Sequence, residues 1–232
     1  LFHGEPIVTN HGTEAMTEIL LIRHGETEWN KQGRMQGQRD SPLTPLGLQQ
    51  ARRLARRLRD VPHVALYSSD LGRAHQTARC LADETKHEIV SDRGLRERSF
   101  GIFEGLTNAE IQITHPDLFV PFSKRDRHFA MPGGESAAQF HERSVATLRK
   151  IAERHDGARV VVVSHGLVLD ALYRAATGMP IEVQRGFPLL NCSVNTFRYV
   201  AGEWTAVAMC DVQHLATEDV TNASDASVQS NG

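Results

Sequence analysis

Short apolar runs alternate with stretches of helical spacing along most of this chain. Ile19-Leu20-Leu21-Ile22 reads as a buried strand that stops at Arg23 and His24. Thr44-Pro45 offers an N-cap followed by proline in the first helical turn, and Leu48, Ala51, Leu54, Ala55 and Leu58 recur behind it at helical spacing. Arg52, Arg53, Arg56 and Arg57 fall on the other faces and read as solvated. Val64-Ala65-Leu66-Tyr67 is a second strand ending at Ser68-Ser69, and Asp70 is the expected cap of a helix through about Asp83 that turns Leu71, Ala74, Ala78 and Leu81 inward. A weaker strand is expected over 87–90. Glu135-Ser136 opens a long helix with Phe140, Val145, Leu148 and Ile151 inside. Val160-Val161-Val162-Val163 is the strongest strand signal and ends at Ser164-His165-Gly166. A helix over 167–177 and strands near 192–200 and 203–210 complete the pattern.

Strands alternating with helices predict an α/β protein: a three-layer sandwich with a mostly parallel central sheet flanked by helices. Ligands of such sheets bind outside the carboxyl ends of the strands. His24, the stretch from Ser68 to Arg73, and His165 all fall at such ends, which predicts one shared site. Residues 1–16 show no hydrophobic period, and Met16 stands directly before the first strand, so they read as an N-terminal extension to a domain spanning 17–214. Residues 215–232 are mostly polar and small and read as a disordered tail.

Composition narrows the partners. The net charge of -2 gives no electrostatic case for nucleic acid. No run of about 18 apolar residues exists to cross a membrane. Cys80, Cys192 and Cys210 are scattered and odd in number, which fits a reducing, cytoplasmic setting rather than a disulfide scaffold or a zinc site. No secretory signal is visible. Asn191-Cys192-Ser193 and Asn222-Ala223-Ser224 therefore read as chance sequons. No HExxH or comparable ligand spacing occurs, so neither a metal nor another cofactor is expected.

The strand ends carry the chemistry of phosphate. Phosphoryl transfer spreads negative charge over three equatorial oxygens, and without a metal that charge needs fixed donors. Arg23 and Arg73 suit the task because a planar guanidinium can hold two oxygens at once. His165 and backbone N–H groups near Gly25 or Gly166 add further donors. Two guanidiniums beside His24 depress its pKa and keep the imidazole neutral, as a nucleophile requires. Glu97, in Leu95-Arg96-Glu97-Arg98, is the candidate acid for the leaving alkoxide, since a neighbouring phosphate raises the proton affinity of a carboxylate. The bland alternative for Glu97 is a surface ion pair with its flanking arginines.

Arg23-His24-Gly25-Glu26-Thr27-Glu28-Trp29-Asn30 resembles the signature of the histidine phosphatase superfamily, also called phosphoglycerate mutase-like. Further motifs follow in that family's order: Gln36-Gly37 with Asp40-Ser41-Pro42-Leu43-Thr44, then Ser68-Ser69-Asp70-Leu71-Gly72-Arg73-Ala74, then Leu95-Arg96-Glu97 with Gly101 and Glu104-Gly105. Gly133-Gly134-Glu135-Ser136 and Ser164-His165-Gly166 close the series, and the similarity covers roughly residues 18–214. The resemblance implies His24 as the phosphohistidine nucleophile, Arg23, Arg73 and His165 as the phosphate pocket, and Glu97 as the proton donor. It further implies Asn30 as a phosphate contact, Thr27, Gln36 and Gly37 near the substrate, an α/β sandwich, and no metal.

Mutases of this superfamily that depend on a cofactor usually carry a long insertion between the acid segment and the second histidine, which covers the site. The stretch from Gly105 to His165 is short here and shows no such block. Water exclusion lets a phosphohistidine return its phosphoryl group to a sugar acid rather than lose it by hydrolysis, so hydrolysis of a small phosphate ester is the favoured expectation. Phosphoglycerate mutase activity is the first alternative, and a catalytically silent phosphate-binding module the second. Substrate choice is expected within 106–131, where Phe119, Phe122 and Phe129 either pack a small subdomain or join Lys124, Arg125 and Arg127 in an apolar and basic rim. An exposed edge strand near the C-terminus would permit a homodimer.

Overall fold

The computed structural model describes residues 15–222. The first fourteen residues of the expected extension, the last ten of the expected tail and most of the Asn222 sequon lie outside them. Among the described residues six strands form one sheet: β1 (Thr17–Arg23), β2 (Ala65–Ser68), β3 (Ile89–Ser91), β4 (Arg159–Ser164), β5 (Val194–Val200) and β6 (Glu203–Asp211). Seven α-helices accompany them among the described residues: α1 (Glu28–Lys31), α2 (Pro45–Leu58), α3 (Gly72–Thr85), α4 (Asn108–Thr114), α5 (Pro116–Ser123), α6 (Ala137–Arg154) and α7 (Gly166–Thr177). Strand order is β3-β2-β4-β1-β5-β6. The first four are mutually parallel, while β5 runs antiparallel to β1 and β6 to β5.

The valine and isoleucine runs are buried on both sides because successive strand residues face opposite layers. Ile19, Leu21, Val160 and Val162 meet Phe140, Leu148 and Ile151 of α6 and Val168 and Leu172 of α7. Leu20, Ile22, Val161 and Val163 meet Leu54 and Leu58 of α2 and Ala74 and Leu81 of α3. Removing each such leucine from water contributes about 1.5–3 kcal/mol, so the two layers hold the sheet mainly by area. A third cluster, built on Met35, Phe100, Phe103, Ile111 and Met131, carries Phe119, Phe122 and Phe129 against its flank. The three phenylalanines therefore pack the small α4–α5 subdomain.

Register positions the site. Arg23 pairs with Ser164 across β1 and β4, and Ser68 with Val163 across β2 and β4, so three parallel strands end side by side. The next amides continue the ladder: His24 N–H donates to Ser164 (3.0 Å) and Ser69 N–H to Val163 (3.0 Å).

Three expectations need correction. Asp70 does not cap α3, whose N-cap is Leu71 with no side-chain bond; its carboxylate instead takes Arg96 Nε (2.7 Å) and Nη2 (2.6 Å). A bidentate ion pair outcompetes a single capping bond. The arginine face of α2 is not wholly solvated, because Arg53 pairs with Asp219 (2.5 Å) and Arg57 with Asp211. The Arg53–Asp219 pair also reaches into the expected tail. Residues 215–222 fold back onto the domain: Gln50 donates to the Asp219 carbonyl (2.7 Å), and Asn191 N–H donates to the Thr221 carbonyl (3.0 Å). Thr221 Oγ1 donates to Asn191 Oδ1 (3.1 Å) and Asn222 Oδ1 accepts from Leu189 N–H (3.2 Å), while Thr217 and Glu218 stay exposed.

Candidate active site

His24 leaves β1 fully buried. Its Nδ1 lies 2.7 Å from the Gly25 carbonyl, which can only accept, so Nδ1 carries the proton. Nε2 is thereby the lone-pair nitrogen, and Arg73 Nε donates to it at 3.3 Å. Burial, then Arg73, then Arg23 hold the imidazole pKa well below 6.5. The loop is fixed by close backbone approach. Gly25 N–H donates to Thr77 Oγ1 (3.1 Å), and a Cβ on Gly25 would lie 2.5 Å from the Gly47 carbonyl oxygen.

Arg73 comes from the first turn of α3 and is 1% exposed. Nη1 donates to the Arg39 carbonyl (2.9 Å) and Asp40 Oδ1 (3.1 Å), and Nη2 to the Gly37 carbonyl (2.8 Å). Gly37 holds φ 55, and a Cβ there would meet Glu104 Oε1 at 2.2 Å, so the turn requires glycine. Arg23 is equally buried and donates to the Leu189 carbonyl.

His165 stands at the N-terminus of α7, its ring centroid 5.3 Å from that of His24. Its Nε2 is 2.8 Å from Ser69 Oγ, and no side chain or backbone group among the described residues pairs with its Nδ1. Burial, then Arg73, His24 and Arg23, lower its pKa well below 6.5. Glu97 is 0% exposed, which excludes the surface ion pair. Oε1 accepts from Arg98 N–H (2.7 Å) and Oε2 from Leu167 N–H (3.1 Å), tying the carboxylate to the first turn of α7. Arg143 braces the same segment, donating to the Gly94 (2.9 Å) and Arg96 (3.1 Å) carbonyls.

The structure thus gathers His24, Arg23, Arg73, Glu97, His165 and Gly166 about the ends of β1 and β4. Thr27 and Asn30 are buried nearby as the reciprocal cap of α1: Asn30 N–H donates to Thr27 Oγ1 (3.1 Å) and Thr27 N–H to Asn30 Oδ1 (3.3 Å). Gln36 is fully buried beside Gly37. Two residues not singled out as site residues join them. Ser69 grips His165, and Asn191 Nδ2 donates to the His24 carbonyl (2.9 Å) and to Asn30 Oδ1 (3.4 Å). Asn191 is 0% exposed, so its sequon is inaccessible. Ser69 follows the end of β2 in a serine pair and Asn191 lies in the loop before β5, cues too common to single them out. Among the described residues no group of three His, Cys, Asp or Glu side chains could hold a metal ion, and no helix is long and apolar enough to cross a membrane.

A buried histidine beside two buried arginines thus stands at the carboxyl edge of a mostly parallel sheet, an arrangement suited to a phosphate group. The profile of the histidine phosphatase superfamily (branch 1) matches residues 19–212. The chain is 41% identical over 204 residues to phosphoglycerate mutase-like protein 4 of Arabidopsis thaliana, covering 85% of this chain and 86% of that one. It is 40% identical to a metal-independent phosphoserine phosphatase of the same plant, covering 87% and 84%. The solved structure of YhfR from Bacillus stearothermophilus superposes with a TM-score of 0.80 at 36% identity, covering 85% of this chain and 98% of that one. The chain belongs to the histidine phosphatase superfamily.

Proposed function

We propose that this chain hydrolyses small phosphate monoesters through a phosphoryl group carried on Nε2 of His24, without a metal. The observation that carries the reading is the tautomer: the Gly25 carbonyl holds the proton on Nδ1, leaving the Nε2 lone pair in the arginine-lined site. That lone pair attacks phosphorus and the ester P–O bond breaks. Glu97 gives its proton to the departing alkoxide. Water then attacks phospho-His24, Glu97 takes a proton from it, and inorganic phosphate leaves. Arg23, Arg73, His165 and the Gly166 N–H meet the charge on the equatorial oxygens, aided by the N-terminus of α7. Asn30 adds a phosphate contact, and Thr27, Gln36 and Gly37 border the substrate.

The short α4–α5 segment supports water as the acceptor. A second reading, mutase transfer to another hydroxyl, is favoured by one observation: all five central side chains are at most 1% exposed, which limits water. The His24→Ala variant is expected to abolish phosphate release from p-nitrophenyl phosphate while its urea midpoint stays native. Retained release overturns the nucleophile. Interconversion of 3- and 2-phosphoglycerate dependent on a bisphosphate primer, outpacing hydrolysis, establishes the mutase instead.

A further inference from the structure

A cavity of about 70 Å³ adjoins the acid side of the site, lined in part by Arg98, Arg125, His141, Leu167, Asp170 and Arg174. Both oxygens of Glu97 are tied to its wall, since the amides they accept from belong to Arg98 and Leu167. Arg98 and Leu167 therefore connect the cavity to the proton donor, while none of the five catalytic side chains lines it.

The lining is built and only partly satisfied. Arg174 is 3% exposed and Asp170 6%; they pair through Nε and Oδ2 at 2.9 Å. Arg174 Nη2 and Asp170 Oδ1 have no hydrogen-bond partner among the described residues. Buried polar atoms are rarely left so: Arg174 Nη2 marks a place for a ligand acceptor, while Asp170 Oδ1 is matched only by a donor such as a protonated phosphate oxygen or a hydroxyl. The Arg98 side chain donates only to the Glu135 (2.9 Å) and Phe129 (3.2 Å) carbonyls, so no hydrogen bond to a carboxylate neutralises it. Arg125 closes α5 at φ 58, a position that ordinarily takes glycine, and its half-buried guanidinium reaches the same cavity. Three guanidiniums and the Asp170 carboxylate thus line the cavity, and the Glu135 and Glu97 carboxylates act on Arg98 from outside its lining. Lys124 is exposed and Arg127 pairs loosely with Glu182 (3.7 Å), so of the three basic residues expected at the rim only Arg125 lines this cavity.

We infer that this cavity is a subsite for a second anionic group, a carboxylate or a further phosphate, on the alcohol portion of the substrate. The inference rests on the hydrolytic reading for its orientation, but its test does not depend on turnover. Glycerol 1-phosphate and 3-phosphoglycerate share a carbon skeleton and differ by a hydroxymethyl against a carboxylate. Propyl phosphate and propane-1,3-diyl bisphosphate supply the phosphate arm. Binding is measured by calorimetry on the His24→Ala variant, and kcat/KM on the intact enzyme. At least one anionic partner is expected to bind about ten-fold or more tightly than its neutral counterpart, and the preferred arm distinguishes carboxylate from phosphate. Adding Arg125→Ala should collapse that ratio toward one, with the loss in KM rather than kcat. Arg125→Gly, which relieves the left-handed backbone, repeats the test should the alanine variant fold poorly. A ratio near one in the unaltered subsite, or a ratio untouched by both Arg125 variants, overturns the subsite. A preserved binding ratio with no hydrolysis of any ester overturns the hydrolytic reading alone.

Discussion

Removing the Ser69 hydroxyl should impair the site by detaching His165 while sparing the fold. Ser69 Oγ accepts from Leu71 N–H at 3.3 Å and lies 2.8 Å from His165 Nε2. No other acceptor for its proton occurs among the described hydrogen bonds, so the hydroxyl donates to Nε2 and leaves the His165 proton on Nδ1. That proton is what a phosphate oxygen would receive. In Ser69→Ala the imidazole loses its tautomeric preference and a fully buried nitrogen loses its partner. Leaving one buried polar group unsatisfied costs about 1–3 kcal/mol. If that cost falls on the transition state, kcat/KM drops about 5- to 150-fold, since about 1.4 kcal/mol is a factor of ten. The assay is steady-state release of phosphate from p-nitrophenyl phosphate across pH, beside urea unfolding. Ser68→Ala is the control, because its hydroxyl donates to the Ser69 carbonyl (2.8 Å) and not to the ring. Ser69→Thr, which keeps the hydroxyl, should recover much of the loss. A Ser69→Ala enzyme within two-fold of the parent, or one no worse than Ser68→Ala, would refute the role of Ser69.

Acid should destabilise the protein through its two site histidines. His24 and His165 are held well below 6.5 in the fold, so below that pH the unfolded chain binds protons that the native state refuses. Their stability contribution is therefore complete above 6.5 and is lost as pH falls toward their folded values. Stability should therefore fall progressively as pH drops below 6.5. Urea midpoints that stay flat between pH 7 and 5 would contradict this. Gly47→Ala should cost about 1–3 kcal/mol by overpacking, because its Cβ would lie 2.1 Å from the Glu26 carbonyl oxygen, backbone against backbone. A urea midpoint equal to that of the parent would show that the α2 terminus gives way freely.

What the sequence made legible was local. Thr44 and Ser136 cap α2 and α6 through bonds to residues three positions on, and the continuous apolar runs of β1 and β4 are buried on both faces. Such signals lie within one turn or one strand. Asp70 has the same local credentials as Thr44, yet its partner Arg96 lies 26 residues away, and nothing near Asp70 in the chain announces that pair. The strand over 87–90 slips to Ile89–Ser91 for a similar reason: His87 stacks on His63, ring centroids 4.2 Å apart, and bonds to its carbonyl before the ladder begins.

The same division runs through the site. His24 and His165 were recoverable because each stands where a strand signal stops, and Arg73 because it opens the helix that follows β2, so the fold class alone places them together. Ser69 and Asn191 act across 96 and 167 residues, and the common residue types involved give no hint of what they face. Yet they have a consequence that the arginines cannot supply. Arg23 and Arg73 bring charge, which acts over distance and tolerates small displacements. The proton position on His165, and the angle at which the His24 backbone leaves β1, depend on single short hydrogen bonds. A chain that kept every motif but lost Ser69 or Asn191 would therefore still attract phosphate anions. It would hold its two histidines less firmly for transfer, and the difference would be read in kcat before KM.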